Sequence, residues 1–147
     1  MEKQLVLCAS PEKQKYYFEE SFKDIPVDIQ EELKRAIVEI AEKVQGIISL
    51  GFYEDGRIYI EQTDLENVFA DDIGAALEIK NFQKEKEELL KALRMWYMIY
   101  RTGEGKIVKE MVMMQTKGIS KKEMIEQIIK KHGDQYKSFV EELIETL

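Results

Sequence analysis

One cysteine, one histidine, one tryptophan and two prolines stand among 147 residues. Each shortage removes a class of protein. A single thiol, Cys8, cannot form an internal disulfide, so the chain is no disulfide-stapled scaffold and a reducing, cytoplasmic setting is expected. One thiol and one imidazole also leave no Cys/His spacing of the kind that holds zinc. A cysteine nucleophile needs a base to form thiolate, and the only histidine, His132, falls in "KKHGD", far along the chain. That context reads as an exposed histidine of a last helical turn, and Cys8 as a small apolar strand residue, largely buried and inert. The eight glycines make no phosphate-cradling loop and no nucleophile elbow.

Long apolar runs and clustered positive charge are also missing. No stretch approaches the roughly 18 apolar residues of a membrane helix, and "MEKQLVLCAS" is too short for the apolar region of a signal peptide. Net charge is −7. Residues 1–102 carry 14 Lys and Arg against 21 Asp and Glu, whereas residues 103–147 carry 8 against 8. A phosphate-binding surface needs clustered cations, so no nucleic-acid partner is expected. Three short C-terminal helices suggest a helix-turn-helix, with Lys121, Lys122, Lys130 and Lys131 available. That segment is neutral, however, and offers no basic recognition face.

What is present is a patterned globular chain, 44% hydrophobic and 35% charged, long enough to bury about 70% of its unfolded surface without a covalent staple. In "LVLCASPEKQKYYF" two strand-forming runs flank "SPEK", where proline suits the second position of a type I turn. From Pro26 the period changes: Ile29, Leu33, Ala36, Ile37, Ile40 and Val44 form one helical stripe, with Gly46 as its stop. "GIISLGFYEDGRIYIEQ" is a hairpin. A two-residue Asp55-Gly56 turn would put Ile58 and Ile60 on the face opposite Leu50 and Phe52. A three-residue Glu54-Asp55-Gly56 turn pairs Phe52 with Ile58 and Leu50 with Ile60, and the hydrophobic pattern selects it, with Gly56 left-handed in a bulge. Tyr59 and Glu61 then point away from the main core.

Asp64, Glu66, Asp71 and Asp72 follow. They lack EF-hand spacing and its closing glutamate, so Asp71 and Asp72 read as caps of the next helix rather than metal ligands, and no metal or cofactor is expected. That helix runs from about Asp72 to Tyr100 with a bend near Asn81, carrying a stripe of Ile79, Phe82, Leu89, Leu93, Trp96 and Tyr100. At about 1.5 Å per residue it would outrun strands of six residues, so its far half needs cover from the C-terminal helices or from a second copy. "RTGEGK", residues 101–106, marks an internal boundary. Beyond it Ile107, Met111 and Met114 share a face, Ser120 and Glu123 match a capping box, Gly133 ends that helix and Asp134 caps the last.

The segments "VLCASPEKQKYYF", "VQGIISLGFYEDGRIYIE", "DDIGAALEIK" and "WYMIY" resemble, in the same order, a family of small uncharacterised clostridial proteins defined as a domain of unknown function, over roughly residues 4–102. The resemblance implies a soluble cytoplasmic bacterial protein with no assigned activity, cofactor or catalytic residue. A weaker resemblance is to roadblock-type and profilin-like scaffold modules. They share the order helix, strand, Asp-Gly turn, strand, helix, but continue with strands where this chain continues with helices.

The expectation is therefore an α+β fold in ββαββα order over 1–102 and a helical extension over 103–147. The favoured role is a non-catalytic protein-interaction or regulatory module that associates with itself or with another protein. Its candidate interface is Leu89, Leu93, Trp96, Tyr97, Tyr100, Met111 and Met114. The rival is a small enzyme or ligand-binding protein with a pocket of tyrosines and carboxylates.

Overall fold

Period-two and period-3.6 patterns alternate in the first part of the chain, and the backbone follows them. The computed structural model describes residues 2–63 and 72–147. Strands β1 (Lys3–Ser10), β2 (Lys15–Phe18), β3 (Ile47–Tyr53) and β4 (Ile58–Thr63) form one antiparallel sheet ordered β2-β1-β3-β4. Helix α1 (Val27–Val44) follows the first hairpin and α2 (Asp72–Glu85) the second. Then come α3 (Glu87–Tyr100), α4 (Gly105–Thr116), α5 (Lys121–His132) and α6 (Lys137–Thr146). This is the expected α+β fold with a C-terminal run of helices. The chain divides into two compact units, Met1–Arg94 and Met95–Leu147.

In the first unit, α1 lies on one face of the sheet. Leu33 and Ile37 are fully buried, as are Leu7, Ile48, Leu50 and Phe52, and the Lys34 ammonium reaches from α1 over the rings of Tyr16 and Phe18. The second hairpin has the expected register, Phe52 opposite Ile58 and Leu50 opposite Ile60. Gly56 sits at φ 88°, where a Cβ would be strained. The Asp55 carboxylate fastens the turn by accepting from the Arg57 backbone N–H at 3.1 Å and Nε at 2.7 Å. A register shift between Leu5 and Leu7 marks a bulge in β1 at Val6. It explains why two successive residues, Val6 and Leu7, are both fully buried in an otherwise alternating strand.

Four local expectations change. In the first hairpin the hydrogen-bonded turn runs from Pro11, whose carbonyl accepts from Gln14 N–H at 3.2 Å. Proline thus opens the turn instead of taking its second position. Helix α1 ends at Gln45, left-handed at φ 57°, and not at a left-handed Gly46. The Gln45 side-chain amide donates back to the Glu42 carbonyl, one of the carbonyls the helix end leaves free. A Cβ on Gly46 would press on the end of the Gln62 side chain. The expected single helix to Tyr100 is two, divided at Lys86 and not bent at Asn81. Lys86 N–H still bonds Phe82 and Leu90 N–H bonds Lys86, both at 2.9 Å, and neither proline nor glycine stands there. Finally, Asp134 begins a short 3-10 turn, Asp134–Tyr136, and α6 has no side-chain cap.

The second unit has its own core, Met98, Ile107, Val108, Met111, Met124, Ile128, Val140, Leu143 and Ile144, with Met95 and Ile99 packed against it. Ser120 Oγ accepts from Glu123 N–H at 3.3 Å and Gly133 ends α5, as the capping signals require. Asp64, Glu66 and Asp71, and the side chain of Asp72, lie outside the described residues, and with them the capping and metal readings of that stretch.

Candidate functional site

Of the seven candidate interface residues, five are buried. Leu89 and Leu93 fall in the first unit and Trp96, Tyr97 and Met111 in the second, all at 7% exposure or less. Met114 is half-buried against the second core. Only Tyr100 is open, at 62%. The helical stripe thus marks core along most of its length, and a surface only at its last turn.

That last turn is part of a strip that single-helix periodicity does not show. Trp96 and Tyr100, one turn apart, lie in tilted contact with ring centroids 6.1 Å apart. The Arg101 guanidinium lies 5.2 Å from the Trp96 ring, and Lys109 Nζ, from α4, lies 5.3 Å from the Tyr100 ring. One turn beyond Lys109 on the same face is Met113, 59% exposed. Trp, Tyr and Arg are the residues most enriched in interface hot spots, and Met in adaptable contact surfaces. Arg101, Lys109 and Met113 were missed because their grouping depends on how α4 folds back on the end of α3.

The sheet face turned away from α1 gathers the chemistry considered by the rival reading. Cys8 lies there, opposite Tyr17 and Ser49, and Ser49 is opposite Glu61. The thiol is half-buried, less covered than expected. Lys3 makes an ion pair with Glu61 and lies 5.2 Å from the Tyr59 ring, which meets the Tyr53 ring at a tilt, centroids 5.5 Å apart. Tyr59 points away from the main core, as expected, yet is only 8% exposed because it lies over Gly51, where a Cβ would strike its ring and the Gln4 carbonyl.

The shifts of these groups run against reactivity. Burial pushes the Cys8 thiol up, against a backbone hydrogen bond with Tyr17. Burial likewise raises the Tyr59 phenol. The Glu61 hydrogen bond raises the Lys3 ammonium, and the Glu19 hydrogen bond raises the Tyr17 phenol. A nucleophile or general base working near neutral pH requires the opposite direction for thiol, phenol and amine.

His132 differs from the exposed residue expected. Its side chain is 19% exposed, its Nε2 is 2.8 Å from Glu110 Oε2, and its ring meets Tyr136 edge-on. Lys131 Nζ donates to the other Glu110 oxygen at 2.9 Å. These contacts tie the end of α5 to the middle of α4. The arrangement is a satisfied ionic clasp, with the imidazole nitrogen engaged.

Among the described residues, two concavities flank α2. A groove of about 210 Å³ between α1 and α2 has Glu39, Lys43, Glu78, Asn81, Glu85 and Lys86 around an apolar floor of Ala36, Ile40 and Phe82. It is smaller than the roughly 300–1,000 Å³ of small-molecule sites, and its rim mixes charges of both signs. A larger depression of about 550 Å³ on the outer side of α2 is widely open to solvent. Among the described residues no group of three or more His, Cys, Asp and Glu is placed to hold a metal ion. Among the same residues, no helix is long and apolar enough to cross a membrane.

Fold and surface together define a small α+β protein whose hairpin sheet carries a helix on one face and whose last helices form a separate core edged by an aromatic–cationic strip. The chain belongs to the family of unknown function DUF6145, whose model matches residues 3–105. No curated protein and no solved structure matches it.

Proposed function

We infer that the protein is a non-catalytic interaction module that associates with itself, and that the strip of Trp96, Tyr100, Arg101, Lys109 and Met113 is its contact surface. The observation that carries this reading is the pair of large apolar side chains, Tyr100 at 62% and Met113 at 59% exposure, joined by Lys109 over the tyrosine ring. Leaving them in water is unfavourable, at about 25 cal/mol per Å² of apolar surface that a partner would cover. The pKa directions on the open sheet face and the small, mixed-charge groove give the enzyme reading less support.

Light scattering across a dilution series tests it. The intact chain is a dimer at high concentration and dissociates on dilution. The double substitution Tyr100→Ser, Met113→Ser leaves a folded chain that is monomeric throughout. An intact chain that is monomeric at every concentration overturns the self-association.

A further inference from the structure

The second unit carries a counter-surface for the strip. On α6, Glu141, Glu142 and Glu145 are all exposed. Spaced by one, three and four residues, they share one side of that helix. Among the described residues none of the three enters an ion pair, although carboxylates elsewhere in the chain, such as Glu39, Glu61 and Glu110, do. Val140, Leu143 and Ile144, on the other side of α6, are buried in the unit's core. The acidic face is therefore fixed in orientation by packing.

A unit with an aromatic–cationic strip across the end of α3 and α4 and an unpaired acidic face on α6 meets the requirement for an isologous dimer. Residue i of one copy meets residue j of the other, and the two-fold axis repeats the contact. Building on the self-association inferred above, we propose that the occupant of the strip is a second copy of this chain. The α6 face of each protomer, Glu141, Glu142 and Glu145, lies against Tyr100, Lys109 and Met113 of the other. The carboxylates of one protomer's α6 meet the Lys109 ammonium of the other with opposite charge, which fixes the register of the contact.

The test uses the full-length chain in two charge-reversed forms, with self-association measured by analytical ultracentrifugation. Glu141→Lys with Glu145→Lys weakens association at least about tenfold, and so does Lys109→Glu, because each sets like charges against each other. All three positions are exposed, so circular dichroism is unchanged. Mixed in equal amounts, the two forms pair with each other more tightly than either pairs with itself, since both contacts of the mixed dimer set opposite charges together, one in the native sense and one reversed. An intact chain that dimerises with an affinity untouched by both reversals overturns this pairing while leaving self-association standing. A chain that never dimerises overturns both. Weakening by one reversal without preferential pairing in the mixture also overturns it.

Discussion

Gly56, Cys8 and Glu110 each owe their state to immediate neighbours, and each can be tested alone. Gly56 holds φ 88° at the hairpin turn. Gly56→Ala is expected to lower stability by about 1 kcal/mol or more, and Gly56→Asn by less, because asparagine tolerates the left-handed region. Denaturant melts in which all three chains coincide would refute the turn. Cys8 lies half-buried opposite Tyr17 with its thiol pushed up by burial. Iodoacetamide at neutral pH should label the native chain more slowly than the unfolded one, and equal rates would contradict the assignment. The Glu110 carboxylate is held below the usual range first by its hydrogen bond with His132, aided by that with Lys131. A depressed carboxylate contributes stability above its unfolded value of about 4.3 and loses it as pH falls through the folded value. Glu110→Gln should therefore cost up to about 1 kcal/mol near pH 7. The difference from the intact chain should close as melts are taken below about pH 4. A gap that widens on acidification would show that the clasp has another origin.

Helices and strands differ in how far the sequence revealed them. The second hairpin was legible to the residue, because Leu50, Phe52, Ile58 and Ile60 can share a face in one register only, and the structure has that register. The end of α1 was not. Gly46 is the better left-handed residue by propensity, but Gln45 takes that conformation while Gly46 accommodates Gln62. The division at Lys86 leaves no mark in the sequence, since "QKEKEELL" is good helix former throughout. Exposure was legible only in part, for periodicity shows that residues share a side and not what covers them. Trp96 and Tyr100 lie on one stripe at 7% and 62% exposure. Helix α4 makes the same point over two residues. Met111 is fully buried and Met113 is 59% exposed, so Met111→Ala should cost about 2–5 kcal/mol and Met113→Ala less than about 0.5. Equal costs in thermal melts would mean that α4 is rotated from the orientation described.

For the whole molecule, the C-terminal helices are structural cover before they are anything else. Met98 is buried in the core formed by α4, α5 and α6, with Met95 and Ile99 packed against it. The cover the sequence required for the far end of α3 is thus supplied within the chain, for the methionine side of that helix. Cutting after Thr102 should strip this side and cause aggregation. A soluble, monomeric truncated chain would contradict it. In the second unit, the exposed large apolar side chains among the described residues are Tyr100 and Met113, and the contact surface is assigned to their strip. Oxidative footprinting of the intact chain across a dilution series tests this most directly, because tyrosine and methionine side chains report their own exposure. Tyr100 and Met113 are expected to be modified readily in dilute solution and to become protected as concentration rises, while the exposed Tyr16 and Tyr17 of β2 react equally throughout. Protection that appears at Tyr16 and Tyr17 with none at Tyr100 and Met113 would contradict it.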